Sequence, residues 1–314
     1  MKKVIFIALI MVFSLPLKAN AQSLSVGIYP PILQIQANPP ASVNSTITIQ
    51  NQSDQTTTYT INYVPFEANA EQNGLPQFDK ELLPLYKDIF SKMQLYDEDN
   101  QVHQITLAPK QKKVLKYHIG LPKGEKPGDF YYSIVFTSVG SNENNQNSFL
   151  GSRAGIATNV LLNVGPKSPA SGFINTFKAP LFTSSGPVNF RLNVANNGQS
   201  YFAINGQVLV KNMFGQTIGK VDLLPVNVLA NSSRFIPSKD APDPNNPTVF
   251  WKEKFLLGIY TATARVSLSE NGPVYNRTTT FFAFPIEGIF GIIVILILVI
   301  GIVRRIKAKS KDLY

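Results

Sequence analysis

Read by polarity alone, the chain is a succession of short alternating runs. In "STITIQNQ", Ile47 and Ile49 fall on one side and Thr46, Thr48 and Gln50 on the other. "TTYTINYV", "KKVLKYHIGLP", "DFYYSIVFTSV" and "ATNVLLNVG" follow, and later come "VNFRLNVANNG", "INGQVLVKN", "YTATARVSLSE" and "NRTTTFFAF". Successive residues of a strand point to opposite faces, so a period of two describes half-buried strands. Gly, Pro, Asn or Asp bounds each run. Turn signals recurring roughly every ten residues predict antiparallel β-sandwiches.

The clearest break is "NVGPKSPASG", residues 163–172, with Gly165, Pro166, Pro169 and Gly172. It divides the chain into a first domain at 22–165 and a second at 170–284. The halves echo each other: "IQNQSDQTTTYTI" is matched by "VANNGQSYFAING", and "PGDFYYSIVFTS" by "LLGIYTATARVSL". Two related sandwiches in tandem explain both matches. Three segments depart from the strand pattern. In 66–96, Leu85, Ile89, Phe90 and Met93 have roughly helical spacing, which predicts a short helix after Pro84. Residues 141–148, "SNENNQNS", read as a hairpin tip. Residues 236–247, with four prolines, read as an exposed loop.

The two ends follow other rules. From Gly288 to Val303 sixteen residues carry no charge. As a helix they reach about 24 Å, and starting at Pro285 brings the span nearer to a hydrocarbon core of about 30 Å. A transmembrane helix is therefore expected at 285–303, with Glu287 at its outer interface. A buried core helix is the alternative, although such helices rarely lack a polar face. The first residues have a basic start at Lys2 and Lys3, an apolar run from Val4 to Leu15, and small residues Ala19 and Ala21. That is the form of a signal peptide at 1–21, cut after Ala21. Arg304, Arg305 and Lys307 begin a basic tail at 304–314 that the positive-inside rule keeps in the cytoplasm. The expectation is a single-pass type I protein of the cell membrane, with its ectodomain outside.

Charge then says less than its total suggests. The formal value is +10, but eight basic residues lie in the leader and tail. Setting them aside with Glu287 and Asp312 leaves 21 basic against 17 acidic residues, a difference of +4. No basic stripe interleaved with aromatics points to nucleic acid. There is no cysteine, so disulfides contribute nothing and packing alone must hold the fold.

Candidate chemistry is sparse. His103 and His118 lie in strand-like runs without a serine elbow or further ligands, so neither a hydrolytic triad nor a zinc site is expected. Asp97, Glu98 and Asp99 in "YDEDNQ" lack the alternate spacing of a calcium loop and read as a charged hairpin turn. The spaced glycines of "NMFGQTIGK" lie between alternating strands, where a turn is the natural reading. No metal and no cofactor is expected. Of Tyr131 and Tyr132, one faces the core and one faces out. Trp251 reads as core. The segment "KQKKVLK" carries Lys110, Lys112 and Lys116, which share one face if the segment is a strand throughout. That face would suit an anionic wall polymer, and equally a solvated edge kept soluble by lysine.

The stretch "LAPKQKKVLKYHIGLPKGEKPGDFYYSIVFTS" resembles the first ectodomain of the WxL-interacting cell-surface proteins of Gram-positive bacteria. "YPPILQIQANPPASVNSTITIQNQSDQTTTYTI" is similar to that domain's start and "GSRAGIATNVLLNVG" to its end. The resemblance implies a leader, two immunoglobulin-like sandwiches and a C-terminal anchor. It also implies a non-catalytic role in which the first domain contacts cell-wall polymer and the second meets other surface proteins or a host. The expected fold class is therefore all-β: two tandem immunoglobulin-like antiparallel β-sandwiches followed by one transmembrane helix. The expected function is binding or scaffolding at the cell surface, with a wall polymer or a surface protein as partner. Two alternatives stay open. One is an extracytoplasmic chaperone or assembly factor, which would offer an open edge strand to a client. The other is a wall-modifying enzyme, disfavoured because no catalytic constellation is visible.

Overall fold

The computed structural model describes residues 26–139, 155–270, 272–286, 288 and 297–304. The first domain is built from β1 (Val26–Tyr29), β2 (Ile32–Ala37), β3 (Ala41–Asn51), β4 (Thr57–Ala68), β5 (Pro76–Phe78), α1 (Leu83–Ser91), β6 (Met93–Asp97), β7 (Asn100–Gln101), β8 (Gln104–Leu107), β9 (Lys112–Leu121), β10 (Gly128–Ser138) and β11 (Gly155–Val164). One sheet runs β1-β3-β9-β6-β7 and the other β2-β11-β10-β4-β5, with β8 also on β4. The first strand is split. β1 lies antiparallel to β3, and past Pro30 and Pro31 the chain crosses to the second sheet, where β2 lies parallel to β11. Proline has no N–H to give to a ladder, which is why the crossing falls there.

The second domain repeats the plan with β12 (Gly172–Lys178), β13 (Phe182–Thr183), β14 (Val188–Asn196), β15 (Phe202–Ala203), β16 (Asn205–Lys211), β17 (Thr217–Asp222), β18 (Asn227–Val228), β19 (Ser232–Phe235), β20 (Val249–Trp251), β21 (Gly258–Ser267) and β22 (Val274–Ala283). One sheet centres on β14, with β12 and β19 beside it and β20 also pairing to it; the other runs β13-β22-β21-β16-β17. Again the first strand divides, β12 antiparallel to β14 and β13 parallel to the last strand, β22. Both domains therefore have an immunoglobulin-like strand order.

The sequence echo has a physical counterpart. Asn51 ends β3, fully buried. Its Nδ2 donates to the carbonyls of Gln55, Leu107 and Ala108 (2.7, 3.1 and 3.1 Å), and its Oδ1 accepts from the Ser53 N–H at 3.0 Å. Asn196 ends β14 and does the same work. Its Nδ2 donates to the Ser200 and Val228 carbonyls, both at 3.0 Å, and its Oδ1 accepts from the Gly198 N–H at 2.8 Å. Each asparagine supplies the ladder partners that a tight turn takes away, and each ties its turn to a strand across the sandwich.

The apolar positions of the runs form two separate clusters. Ile47, Ile49, Leu115, Ile119 and Phe136 belong to the first, and Phe190, Val208, Ala262 and Trp251 to the second. Trp251 is core, as its sequence context suggested, 6% exposed and edge-on to Tyr260 and Phe281. A Cβ on Gly219 would come 2.5 Å from its Nε1, so only glycine lets β17 close over the indole. The helix expected after Pro84 also forms as α1, with Pro84 in its first turn and Ile89 buried. Two of the helically spaced residues depart from the expectation: Leu85 is 72% exposed, and Met93, although buried, lies past the helix and begins β6. The "YDEDNQ" acids make the β6–β7 turn, and "NMFGQTIGK" makes the turn from β16 to β17.

Ala19, Ala21, Arg305, Lys307 and the 141–148 tip lie outside the described residues, and so do residues 287 and 289–296 of the expected span. Among the described residues no helix is long and apolar enough to cross a membrane; residues 297–304, ending at Arg304, are helical.

Candidate functional site: the cleft between the sandwiches

The outer face of the second sheet of domain one is not free. Alternation fails in "YYSIVF" of β10 and "NVLLNV" of β11, where nearly every side chain is buried. Such continuous runs mark strands covered on both faces. Tyr132 points into the core, its hydroxyl 2.6 Å from that of Tyr117. Tyr131, the partner that faces out, packs with Phe66, Leu161 and Tyr201, and domain two covers this small cluster through Leu229 and Ala230.

Asp129 fastens the contact. Its Oδ2 accepts from the Tyr131 hydroxyl and from the Tyr201 backbone N–H, both at 2.7 Å, and its Oδ1 accepts from Asn163 Nδ2 at 2.6 Å. Tyr131 Oη also accepts from the Ala230 N–H at 3.2 Å. Burial and then the Asp129 charge push the Tyr201 phenol up to about 12, and burial raises Tyr131 further above its ordinary range. Both phenols therefore remain protonated donors at neutral pH. Lys167 lies 4.3 Å over the Tyr201 ring.

A second bridge comes from the tip of the β4–β5 hairpin. The Gln72 carbonyl accepts from the Phe235 N–H at 2.8 Å, and its side-chain oxygen accepts from Asn193 Nδ2 at 2.8 Å. Gln72 takes a positive φ of 56°, as does Gly74 at 86°. The Arg234 guanidinium lies against Gly74 where a Cβ would sit, and Nη1 donates to the Asn227 carbonyl at 2.7 Å. Burial lowers the Arg234 pKa.

Between the bridges lies a cleft of about 930 Å³. Domain one lines it with Glu67, Asn69, Gln72, Tyr86 and Asp129, and domain two with Asn197, Gln199, Asn231, Ser232 and Ser233. These are amide, hydroxyl and carboxylate groups suited to hydrogen-bonding a polar chain. Asp129 already holds three donors, and the Tyr86 hydroxyl accepts from the Tyr131 N–H at 3.1 Å. The Tyr131–Asp129 pair in the lining is a structural hydrogen bond, and burial keeps that phenol protonated.

Among the described residues the second sheet also has an open edge. β2 joins β11 only from Asn159 onward, because Pro31 offers no N–H to extend the ladder. No strand among the described residues pairs with the outer edge of Gly155–Ala157.

The lysines expected to form one cationic face do not. Lys112 and Lys116 do share the exposed face of β9. Lys110 lies before the strand, in a turn with φ of 59°, which corrects the expectation of a continuous strand. Its ammonium is 2.9 Å from Asp54 and donates to the Gln52 carbonyl at 2.7 Å. Lys116 faces Asp99 at 3.9 Å, and Lys113 pairs with Asp97 on the other side. His118 Nδ1 bonds the Asn44 side chain at 2.9 Å on the surface. Sequence reasoning passed over Asp129, Gln72 and Arg234. The one available signal was an acid set directly before an aromatic triplet in an otherwise apolar strand.

No protein-family model and no curated protein matches this sequence. Among solved structures the chain is similar to the chaperone–tip adhesin complex of CFA/I fimbriae, with 10% identity, 82% of this chain and 98% of that chain covered, and a TM-score of 0.37. It is also similar to the CsuC–CsuE pre-assembly complex of Acinetobacter baumannii, with 10% identity, coverage of 83% and 99%, and a TM-score of 0.37. The E. coli chaperone DraB matches at 12% identity, coverage of 83% and 98%, and a TM-score of 0.33. Likeness of this degree bears on no claim about function.

Proposed function

We propose that this chain is a non-catalytic, membrane-anchored assembly factor of the cell envelope, which holds a segment of another surface protein in the cleft between its sandwiches. The supporting observation is the cleft itself. Both domains line it with hydrogen-bonding groups, two fixed bridges set its width, and Asp129, one of its two carboxylates, is spent on structure. A site so arranged can grip an extended polypeptide by its backbone, and the open edge at Gly155–Ala157 offers further strand pairing. Anchoring through 285–303, with the ectodomain outside, belongs to the same proposal.

An assembly factor and a static scaffold differ in what their loss does. In cells lacking the chain, at least one surface protein is expected to fall in abundance, because its unassembled form is degraded. The wild-type chain restores it. Gln199→Trp, which fills the cleft from an exposed position, is expressed and folded but does not. If every surface protein keeps its normal level without the chain, the assembly reading fails.

A further inference from the structure

Exposed apolar side chains are concentrated at one end of domain two, the end at which β22 finishes. β22 runs to Ala283, and the apolar C-terminal segment begins two residues later. Three loops reach the same end. Before β13, Leu181 is 89% exposed, with Phe182 partly exposed beside it. In the β16–β17 turn, Phe214 is 79% exposed, and Met213 lies over Gly258, whose missing Cβ leaves it room. Before β21, Leu256 is held in the core while its neighbours Phe255 and Leu257 project outward. Register brings these loops together: Phe182 and Ile259 both pair with Phe282, and the Phe282 ring stacks 6.0 Å from Phe284. Exposed lysines 178, 211 and 254 fringe the group.

We infer that this end of domain two sits in the headgroup region of a lipid bilayer, a second membrane contact beside the C-terminal segment. The inference rests on the reading that 285–303 spans that bilayer. Two features name lipid as the occupant. The apolar loops surround the point where the chain leaves for the apolar run, so a spanning segment brings them to the interface. Aromatic rings and a lysine fringe are also the side chains that interfaces select. Leu181 and Phe214 stay exposed among the described residues, and grouped apolar surface of this kind marks a contact site. Docking there fixes the tilt of the ectodomain and turns the cleft to a constant height above the membrane.

The chain has no cysteine, which makes single-site labelling clean. The full chain is placed, one copy per disc, in nanodiscs containing anionic lipid, with a polarity-sensitive fluorophore at Leu181→Cys, Phe214→Cys or, as a distant reference, Asp99→Cys. Nitroxide on the lipid headgroups is expected to quench the labels at 181 and 214 and to spare the label at 99. In a Leu181→Ser/Phe255→Ser background the label at 214 loses that quenching, while the unfolding curve is unchanged. If the chain stays in the disc through alkaline extraction and the labels at 181 and 214 behave like the one at 99, the docking inference is overturned and the anchor stands. If the chain leaves the disc on extraction, the anchor reading falls and the inference with it. Labels that become shielded only when two copies share a disc, without lipid quenching, assign the surface to a second copy and overturn the lipid assignment.

Discussion

Replacing Asp129 tests whether the two sandwiches are locked. The carboxylate accepts from Tyr131 Oη, the Tyr201 N–H and Asn163 Nδ2, all within 2.7 Å. Asp129→Ala leaves these donors without their acceptor at a covered junction. A charge-assisted bond contributes about 1.5–3 kcal/mol, and an unsatisfied buried donor costs about 1–3 kcal/mol. Because Asp129 is itself half-buried and the three bonds act as one network, the expected loss is about 2–4 kcal/mol. Asp129→Asn should cost less, about 1 kcal/mol. Its oxygen can keep the Tyr131 and Tyr201 donors. Its new NH₂ group then meets Asn163, whose Oδ1 is buried without a partner among the described residues and can accept after the amide turns over. Urea unfolding separates the cases. Trp251, the single tryptophan, reports domain two, and far-ultraviolet circular dichroism reports both domains. In wild type the two signals are expected to fall together, and in Asp129→Ala they should part. A loss under about 0.5 kcal/mol for Asp129→Ala, the range of ordinary surface substitutions, would refute the network. So would an Asn variant as costly as the Ala variant.

Other outcomes follow from the same contacts. Asn51→Ala and Asn196→Ala each strand buried turn groups and should each cost about 2–4 kcal/mol, read in both cases as a lower urea midpoint of the joint transition. Gly219→Ala presses a methyl against the Trp251 indole and should cost about 1–3 kcal/mol by overpacking, read as a lower urea midpoint at unchanged slope. On alkaline titration, burial pushes Tyr63 and Tyr201 up to about 12 and raises Tyr117, Tyr131 and Tyr132 as well. The unfolded chain ionises its tyrosines near pH 10. The folded state favours the protonated phenol, so stability from these groups is intact below about pH 10 and is lost as pH rises towards 12 and beyond. Tyrosinate absorbance from these residues should therefore appear only with unfolding, and a smooth titration of all twelve tyrosines near pH 10 would contradict the burial.

The strands were legible because half-buried ladders write a period of two into the chain. Residues 112–121 show it directly, with Leu115, Tyr117, Ile119 and Leu121 inward and Lys112 and Lys116 outward. The same rule misplaced Lys110, because a left-handed turn residue carries no polarity signature when it is neither Gly nor Asn. It also put Leu85 in a helix face that the fold leaves in solvent, since a short helix need not bury every apolar position. The cleft could not be read at all. Its bridges join residues such as Gln72 and Asn193, 121 positions apart, and no local pattern encodes such a pairing. What the chain did carry was the lapse of alternation in β10 and β11, which is the imprint of domain two on domain one.

The division of each first strand between two sheets also sets how the molecule bears load. In domain one β2 runs parallel to the last strand, β11, through six register pairs. Tension carried through the first and last strands drags them along each other, so the whole ladder resists at once, in shear. In domain two the matching contact between β13 and β22 is only two pairs long. Stretched end to end, the molecule has a strong clasp and a weak one in series, and the weak one lies in the domain followed by the apolar C-terminal segment. Under pulling, domain two gives way first and lengthens the chain, while domain one stays folded.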